Sequence, residues 1–314
     1  MKDAHAIVVL PNGELGQVSN TDHRHWLSRG AVAWESPESE MLVTVLNMLG
    51  IPAPASGMAA LRFWGQTGNR SASWISAADP IHLEARLRDL RIRSLAPHQV
   101  TAAEMRGIFD MLQEELGDGD SHAFAKMGVC GYLHSERPIA TASVSPEIAA
   151  GHVPDRFPPS GGSERLYHQL LGELQMLLHD HEVNIERQSA GKPAINSLWF
   201  WGGGIAPEAV ARPLPDLYSA NPLFNGFWAS CQAGAEPFKA FADCLSGSPN
   251  GFVAVAPDEP LGDILSSLKQ LIGTGRLRRL MLVFRDGHTA SLGRFDRLRF
   301  WRRAATLPGE HHSG

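Results

Sequence analysis

The sequence predicts an α/β fold, a largely parallel sheet interrupted by a smaller α+β insert. Three observations carry this. Residues 6–10 (AIVVL) are apolar on both faces, which suits a central strand of a parallel sheet, and Pro11-Asn12-Gly13 then forces a turn. From residue 163 onward, helical and strand-like runs alternate. Between them, residues 71–159 change texture and end in PDRFPPSGG (154–162), which reads as a linker. The expected organisation is a first core part at 1–78, an inserted lid-like α+β domain at 79–159, and a second core part at 160–314.

In order, the strand at 6–10 is followed by Asp22, His23 and His25 in a loop. A helix is expected over 37–48, with Ser36 as cap, Pro37 in the first turn and Glu38 and Glu40 complementing the helix dipole. Leu42, Val45, Leu46 and Leu49 share one face, and Gly50 stops it. A second helix is expected over 56–64. In the insert, strand-like pieces (73–75, 81–83, 90–92) precede a helix at 102–116 capped by Thr101, and a further strand pair follows near 129–133. Ser163-Glu164 opens a long helix whose leucines (166, 170, 171, 174, 177, 178) form a broad apolar stripe. After Gly204 come a proline-rich stretch, a helix at 237–245, a buried-type strand at 252–256, a helix at 261–272 and a strand at 280–284. Asp286-Gly287 reads as a hairpin turn into the last strand.

Composition excludes several classes. With 43% hydrophobic and 19% charged residues and a mean hydropathy of -0.15, the chain reads as an ordinary soluble globular protein. A net charge of -5 and a pI near 6.3 argue against broad nucleic-acid or membrane-surface binding, which selects for concentrated Lys and Arg. Cys130, Cys231 and Cys244 are too few and too widely spaced for a disulfide framework or a Cys-x-x-Cys metal site. No apolar run approaches the ~20 residues that span a bilayer, and the first residues lack a signal-peptide pattern. A cytoplasmic protein is expected.

The functional candidates centre on residues 179–204, where Asn184, Arg187, Lys192 and Asn196 crowd the junction between the long helix and the apolar strand ending at Gly202-Gly203-Gly204. Two readings stand. The guanidinium and amides could hold a carboxylate or phosphate, with Gly203 offering a backbone N–H; equally, they could tie the junction together through backbone hydrogen bonds, with the glycines allowing close packing. His179 and His181 suggest a metal pair, but residues two apart on a helix diverge, and both suit a helix C-terminus. Asp22, His23 and His25 read as solvated surface. Ser56 is a helix cap or a nucleophile, Trp199 and Trp201 are core, and residues 297–303 (RLRFWRR) are a charged edge or a docking segment.

HEVNIERQSAGKPAIN (181–196) followed by WFWGGG (199–204) resembles a segment of archaeal-type, cofactor-independent phosphoglycerate mutases. NSLWFWGGG (196–204), ADPIHL (78–83) and RFWRR (299–303) resemble a bacterial family of RpfE-type regulatory proteins. The resemblance implies an alkaline-phosphatase-like three-layer core. It also implies two divalent metals held by Asp and His with a Ser nucleophile, and an Arg and Asn near the substrate pocket. The sequence departs from that pattern: Asn12 stands where the family's first strand ends in Asp, residues 56–60 (SGMAA) keep the hydroxyl but lose the adjacent carboxylate, and Asp286 and His288 match a late ligand segment only loosely. Two metals about 3.5–4 Å apart must neutralise attacking and leaving oxygens, and a neutral Asn forfeits a hard anionic ligand.

The expected function is a phosphoglycerate-mutase-like regulatory protein, catalytically degenerate, that binds a small anionic metabolite or a protein partner and needs no cofactor. Asn184, Arg187, Asn196, Lys192 and Gly203 would form the anion site. The first alternative is an active metal-dependent phosphoryl-transfer enzyme with Ser56 as nucleophile and Asp286 and His288 among its Mn or Zn ligands. The second is a non-catalytic structural subunit.

Overall fold

The computed structural model describes residues 5–10, 18, 20–35, 37–95, 97–118 and 121–296. Asn12 with its turn, the cap position Ser36 and the 297–303 stretch lie outside them. In chain order the elements are β1 (His5–Val9), α1 (Thr21–Ser28), β2 (Ala31–Trp34), α2 (Met41–Leu49), α3 (Met58–Thr67), β3 (Ile75–Ala85), β4 (Leu90–Ser94), α4 (Ala102–Glu115), β5 (His122–Met127) and β6 (Cys130–Ser135). They continue with α5 (Pro146–Ala149), α6 (Glu164–His179), α7 (Glu182–Ser189), β7 (Ser197–Gly204), β8 (Asp216–Tyr218), α8 (Pro222–Ser230), β9 (Ala235–Glu236), α9 (Phe241–Gly247), β10 (Gly251–Val255), α10 (Leu261–Gly273), β11 (Arg279–Val283) and β12 (His288–Gly293). They fall into two compact units, residues 1–53 with 209–314, and residues 54–208.

The first unit holds a seven-stranded sheet in the order β2-β12-β11-β1-β10-β8-β9. β1 runs parallel to both β10 and β11, and β8 extends the parallel set. This explains its uninterrupted apolar run: a strand covered on both faces has no polar side. The hairpin expected at Asp286-Gly287 forms, with Gly287 at φ 90° and β12 antiparallel to β11. β2 then adds an antiparallel edge. On α10, Leu261, Ile264, Leu265, Leu268, Leu271 and Ile272 are buried, each worth roughly 1.5–3 kcal/mol.

Two expectations are corrected here. Asp22, His23 and His25 lie on α1, capped by the Asn20 side chain, not in a loop. The helix expected over 37–48 starts at Met41, after an N-cap at Glu40 that makes no side-chain cap bond, so residues 37–39 are not helical. Gly50, left-handed at φ 69°, closes it as read.

The second unit is built on an antiparallel sheet. One edge of β3 pairs with β7; its first half also pairs with β6 and its last half with β4, while β5 extends β6. Leu170, Leu174 and Leu178 of α6 pack with Ile108 and Leu112 of α4 and with Leu198 and Phe200 of β7 in one core. The expected divisions at 78/79 and 159/160 therefore do not coincide with the compact units. β3 and β7 register Asp79 against Trp199 and Ile81 against Ser197, joining what the sequence placed in separate segments. The apparent linker at 154–162 is also pinned inside this unit, because Ser160 and Thr141 exchange backbone hydrogen bonds and Ser163 N donates to Pro138 O.

The glycines ending β7 serve close packing. Gly57 N donates to Gly203 O at 3.1 Å. Gly57 sits at φ 82°, and a Cβ there would lie 2.5 Å from Ile205 O. Gly57→Ala combines a left-handed backbone with a clash against backbone, so it is expected to destabilise by about 1–3 kcal/mol. Urea unfolding measures this; an unchanged midpoint would show that the contact gives way freely.

No helix among the described residues is long and apolar enough to cross a membrane. The three cysteines are free thiols.

Candidate functional site

In open α/β sheets, ligands sit beyond the carboxyl ends of the strands. In the first unit that edge is formed by the ends of β1, β10 and β11. Beyond it lie Asp258, Arg285, Asp286 and His288. Arg285 Nη1 stands 3.8 Å from Asp258 Oδ1. His288 N donates to Asp286 Oδ1, and His288 Nδ1 lies 3.1 Å from the same oxygen. The imidazole is buried, yet neither ring nitrogen has an aligned hydrogen-bond partner. Trp34 donates from Nε1 to Asp286 O and sets its ring 6.3 Å from that of His288. The structure thus brings Asp286 and His288 together on one hairpin. Among the described residues, however, no group of three or more His, Cys, Asp or Glu is arranged to hold a metal ion. These side chains do not fit a two-metal site, and the nearby guanidinium further offsets the negative charge such a site needs.

The 179–204 junction lies wholly in the second unit, and its side chains are engaged with backbone. Asn184 Nδ2 donates to Leu178 O and Ile195 O at 2.7 and 2.8 Å, and its Oδ1 accepts from Ile195 N. Asn196 clamps Leu83 through both its N–H and C=O. Arg187 is buried: Nε donates to Pro193 O, and Nη1 donates to Gln99 O and to Glu104 Oε1 at 2.9 Å. Only Nη2 is buried without a partner. Burial opposes the charge on Glu104, but the Thr101 hydrogen bonds and Arg187 hold its carboxyl below the usual range. Lys192 is exposed, while its backbone N–H closes α7 on Arg187 O. Gly203 N donates to Thr141 Oγ1. Of the two readings of this junction, the hydrogen bonds describe the structural tie.

The remaining candidates separate. His179 ends α6, while His181 begins α7 with Nδ1 accepting from Val183 N, so the two histidines serve different helix ends. Ser56 is exposed; the N-cap of α3 is Gly57, with no side-chain cap bond, so Ser56 does not cap that helix. Trp201 is core but also donates from Nε1 to Asp79 Oδ2 at 2.7 Å.

That last bond leads to a cluster the sequence reading missed. Arg62 of α3 donates to both Asp79 oxygens, at 2.6 and 3.0 Å, and from Nε to Tyr132 Oη at 3.0 Å. It also bonds Gly131 O and lies over the Tyr132 and Trp201 rings, 4.7 and 5.2 Å from their centroids. Burial works against its charge, yet Asp79, Tyr132 and Cys130 together raise its pKa further. Burial likewise pushes the Tyr132 hydroxyl and the Cys130 thiol up. The cluster is a buried ion pair, and these contacts all run to the protein's own groups. The available signal was a carboxylate inside the apolar run ISAADPI and an arginine within the apolar stretch MAALRFW.

Over local stretches the chain is similar to 2,3-bisphosphoglycerate-independent phosphoglycerate mutases. It is 25% identical over 130 residues to the mutase of Methanosarcina barkeri, covering 41% of this chain and 32% of that one. It is 30% identical over 139 residues to mutase 2 of Methanothermobacter thermautotrophicus, again 41% and 32%. The matches thus span about a third of each mutase's length. In fold, the chain is similar to the PH0037 protein of Pyrococcus horikoshii, with a TM-score of 0.51, 13% identity, and coverage of 93% of this chain and 88% of that one. No family model matches.

Proposed function

We propose that this chain is a mutase-like binding protein that does not carry out two-metal phosphoryl transfer, acting as a regulatory scaffold for a small anionic metabolite. The observation that carries this reading is the carboxyl edge of the first unit: Asp258 faces Arg285, Asp286 faces His288, and no three donors converge among the described residues. The partial mutase similarity supports an alkaline-phosphatase-like ancestry for this scaffold. Loss of several hard anionic ligands together removes the charge that two divalent ions require.

The test is metal analysis of protein purified without chelators, alongside turnover of 3-phosphoglycerate and of a generic phosphomonoester. The expected result is substoichiometric metal and no turnover. Stoichiometric Mn or Zn, with activity lost on Ser56→Ala, overturns the reading. One observation favours the second reading, an active metal-dependent phosphotransferase: His288 Nε2 is buried without a partner, while Nδ1 meets only the poorly aligned Asp286 Oδ1 at 3.1 Å, as in an unfilled ligand held by a carboxylate. If that reading holds, His288→Ala lowers metal content in the same assay.

A further inference from the structure

The amino edge of the first unit's sheet, opposite the edge where α/β ligands ordinarily bind, carries a basic cleft. A small cavity of about 130 Å³ lies between the C-terminal ends of α1 and α10 and the end of β12, walled by Trp26, Ile272 and Leu292. Adjoining it through Gly293, Arg294 and Asp296 is an open cleft of about 590 Å³, which His5, Ser291, Arg278 and Arg279 also line. Among the described residues that line the two, Arg29, Lys269, Arg278, Arg279 and Arg294 stand with one carboxylate, Asp296. Among the described residues, Arg29, Lys269, Arg279 and Arg294 make no ion pair.

Helix ends account for part of this charge. Arg29 is the C-cap of α1, and Lys269 lies just before the last turn of α10, whose Ile272 and Gly273 reach the cavity; each helix terminus contributes roughly half a negative charge. Subtracting both termini and Asp296 still leaves roughly three positive charges, on a chain whose formal net charge is -5. Such a concentration against the overall sign raises local anion concentration. The aromatic and aliphatic walls add room for an apolar group beside the charges.

We propose that this cleft binds a small organic polyanion, its phosphate or carboxylate groups held by Arg279 and Arg294 and its apolar part in the cavity against Trp26, Ile272 and Leu292. The proposal deepens the anion-binding half of the functional reading by giving the anion a place, and it stands whether or not the carboxyl edge takes up metal.

The experiment is calorimetric titration of the full chain with phenyl phosphate, inorganic phosphate and a single-stranded oligonucleotide. It is repeated on Arg279→Glu/Arg294→Glu, on the milder Arg279→Gln/Arg294→Gln, and on Arg86→Glu/Arg88→Glu as a basic control elsewhere. The expected result is tighter binding of phenyl phosphate than of inorganic phosphate. Affinity falls about tenfold or more in both cleft variants, as loss of two charge-assisted contacts implies, and is unchanged in the control. Binding retained in the cleft variants sinks this site while leaving anion binding intact. No binding by the unaltered protein sinks both, and an oligonucleotide bound more tightly than phenyl phosphate sinks the small-ligand assignment.

Discussion

Replacing Asp79 by alanine is expected to cost about 3–5 kcal/mol of unfolding free energy, because it strands the Arg62 guanidinium in the core of the second unit. Asp79 accepts from both Arg62 nitrogens and from Trp201, with a longer contact from Gly131 N at 3.4 Å. Among the described residues, no other carboxylate hydrogen-bonds Arg62; Tyr132 stays protonated, its hydroxyl donating to Gln66. Asp79→Asn keeps an acceptor for the Trp201 indole but removes the charge, so its cost should be intermediate. The double change Arg62→Met with Asp79→Leu removes both ions and is expected to recover most of the loss, since two desolvation penalties vanish together. Urea unfolding of the singles and the double gives the coupling energy. Strictly additive effects would show that the pair contributes through packing alone.

This pair also illustrates what the sequence conveyed. The parallel core was legible in the runs 6–10, 252–256 and 280–284, because burial on both faces leaves an unmistakable apolar signature. The same signature misled for β7. Its strand is buried at every position but Gly203, yet it pairs antiparallel with β3; an apolar run reports coverage, not the direction of its neighbour. Unit boundaries were hidden for a related reason. Proline and glycine mark chain reversals, and at 154–162 the reversal is bonded into the second unit. The divisions at 53/54 and 208/209 instead fall in the loop before α3 and the proline-rich stretch after β7. At the site, residue type alone left Asn184, Arg187 and Asn196 with two roles, and the backbone hydrogen bonds they make could be read only from the structure. The basic cleft was invisible for the opposite reason: Arg29, Lys269, Arg279 and Arg294 are scattered through the sequence and become neighbours only when β11, β12 and the ends of α1 and α10 assemble.

Arg187→Ala is the second large effect expected, again about 3–5 kcal/mol. It leaves the carbonyls of Pro193 and Gln99 without their donor and removes the cation facing Glu104. Glu104 also closes a capping box with Thr101 at the start of α4, so the arginine joins the end of α7 to the start of α4. Arg187→Lys should recover little, because an ammonium cannot reach three acceptors in the guanidinium's fork geometry. The pH dependence has a definite sign. The Glu104 carboxyl is depressed in the folded chain, so its stabilisation is fully present above the unfolded value of about 4.3 and fades as pH falls through the lower folded value. Glu104→Gln should flatten that part of the stability profile, since glutamine can still complete the capping box but carries no titrating charge. An anion-recognition role makes a contrary forecast: Arg187→Ala would then abolish anion binding while leaving the urea midpoint nearly unchanged. A destabilised variant that still binds phenyl phosphate with undiminished affinity assigns Arg187 to the framework and leaves the basic cleft to hold the anion.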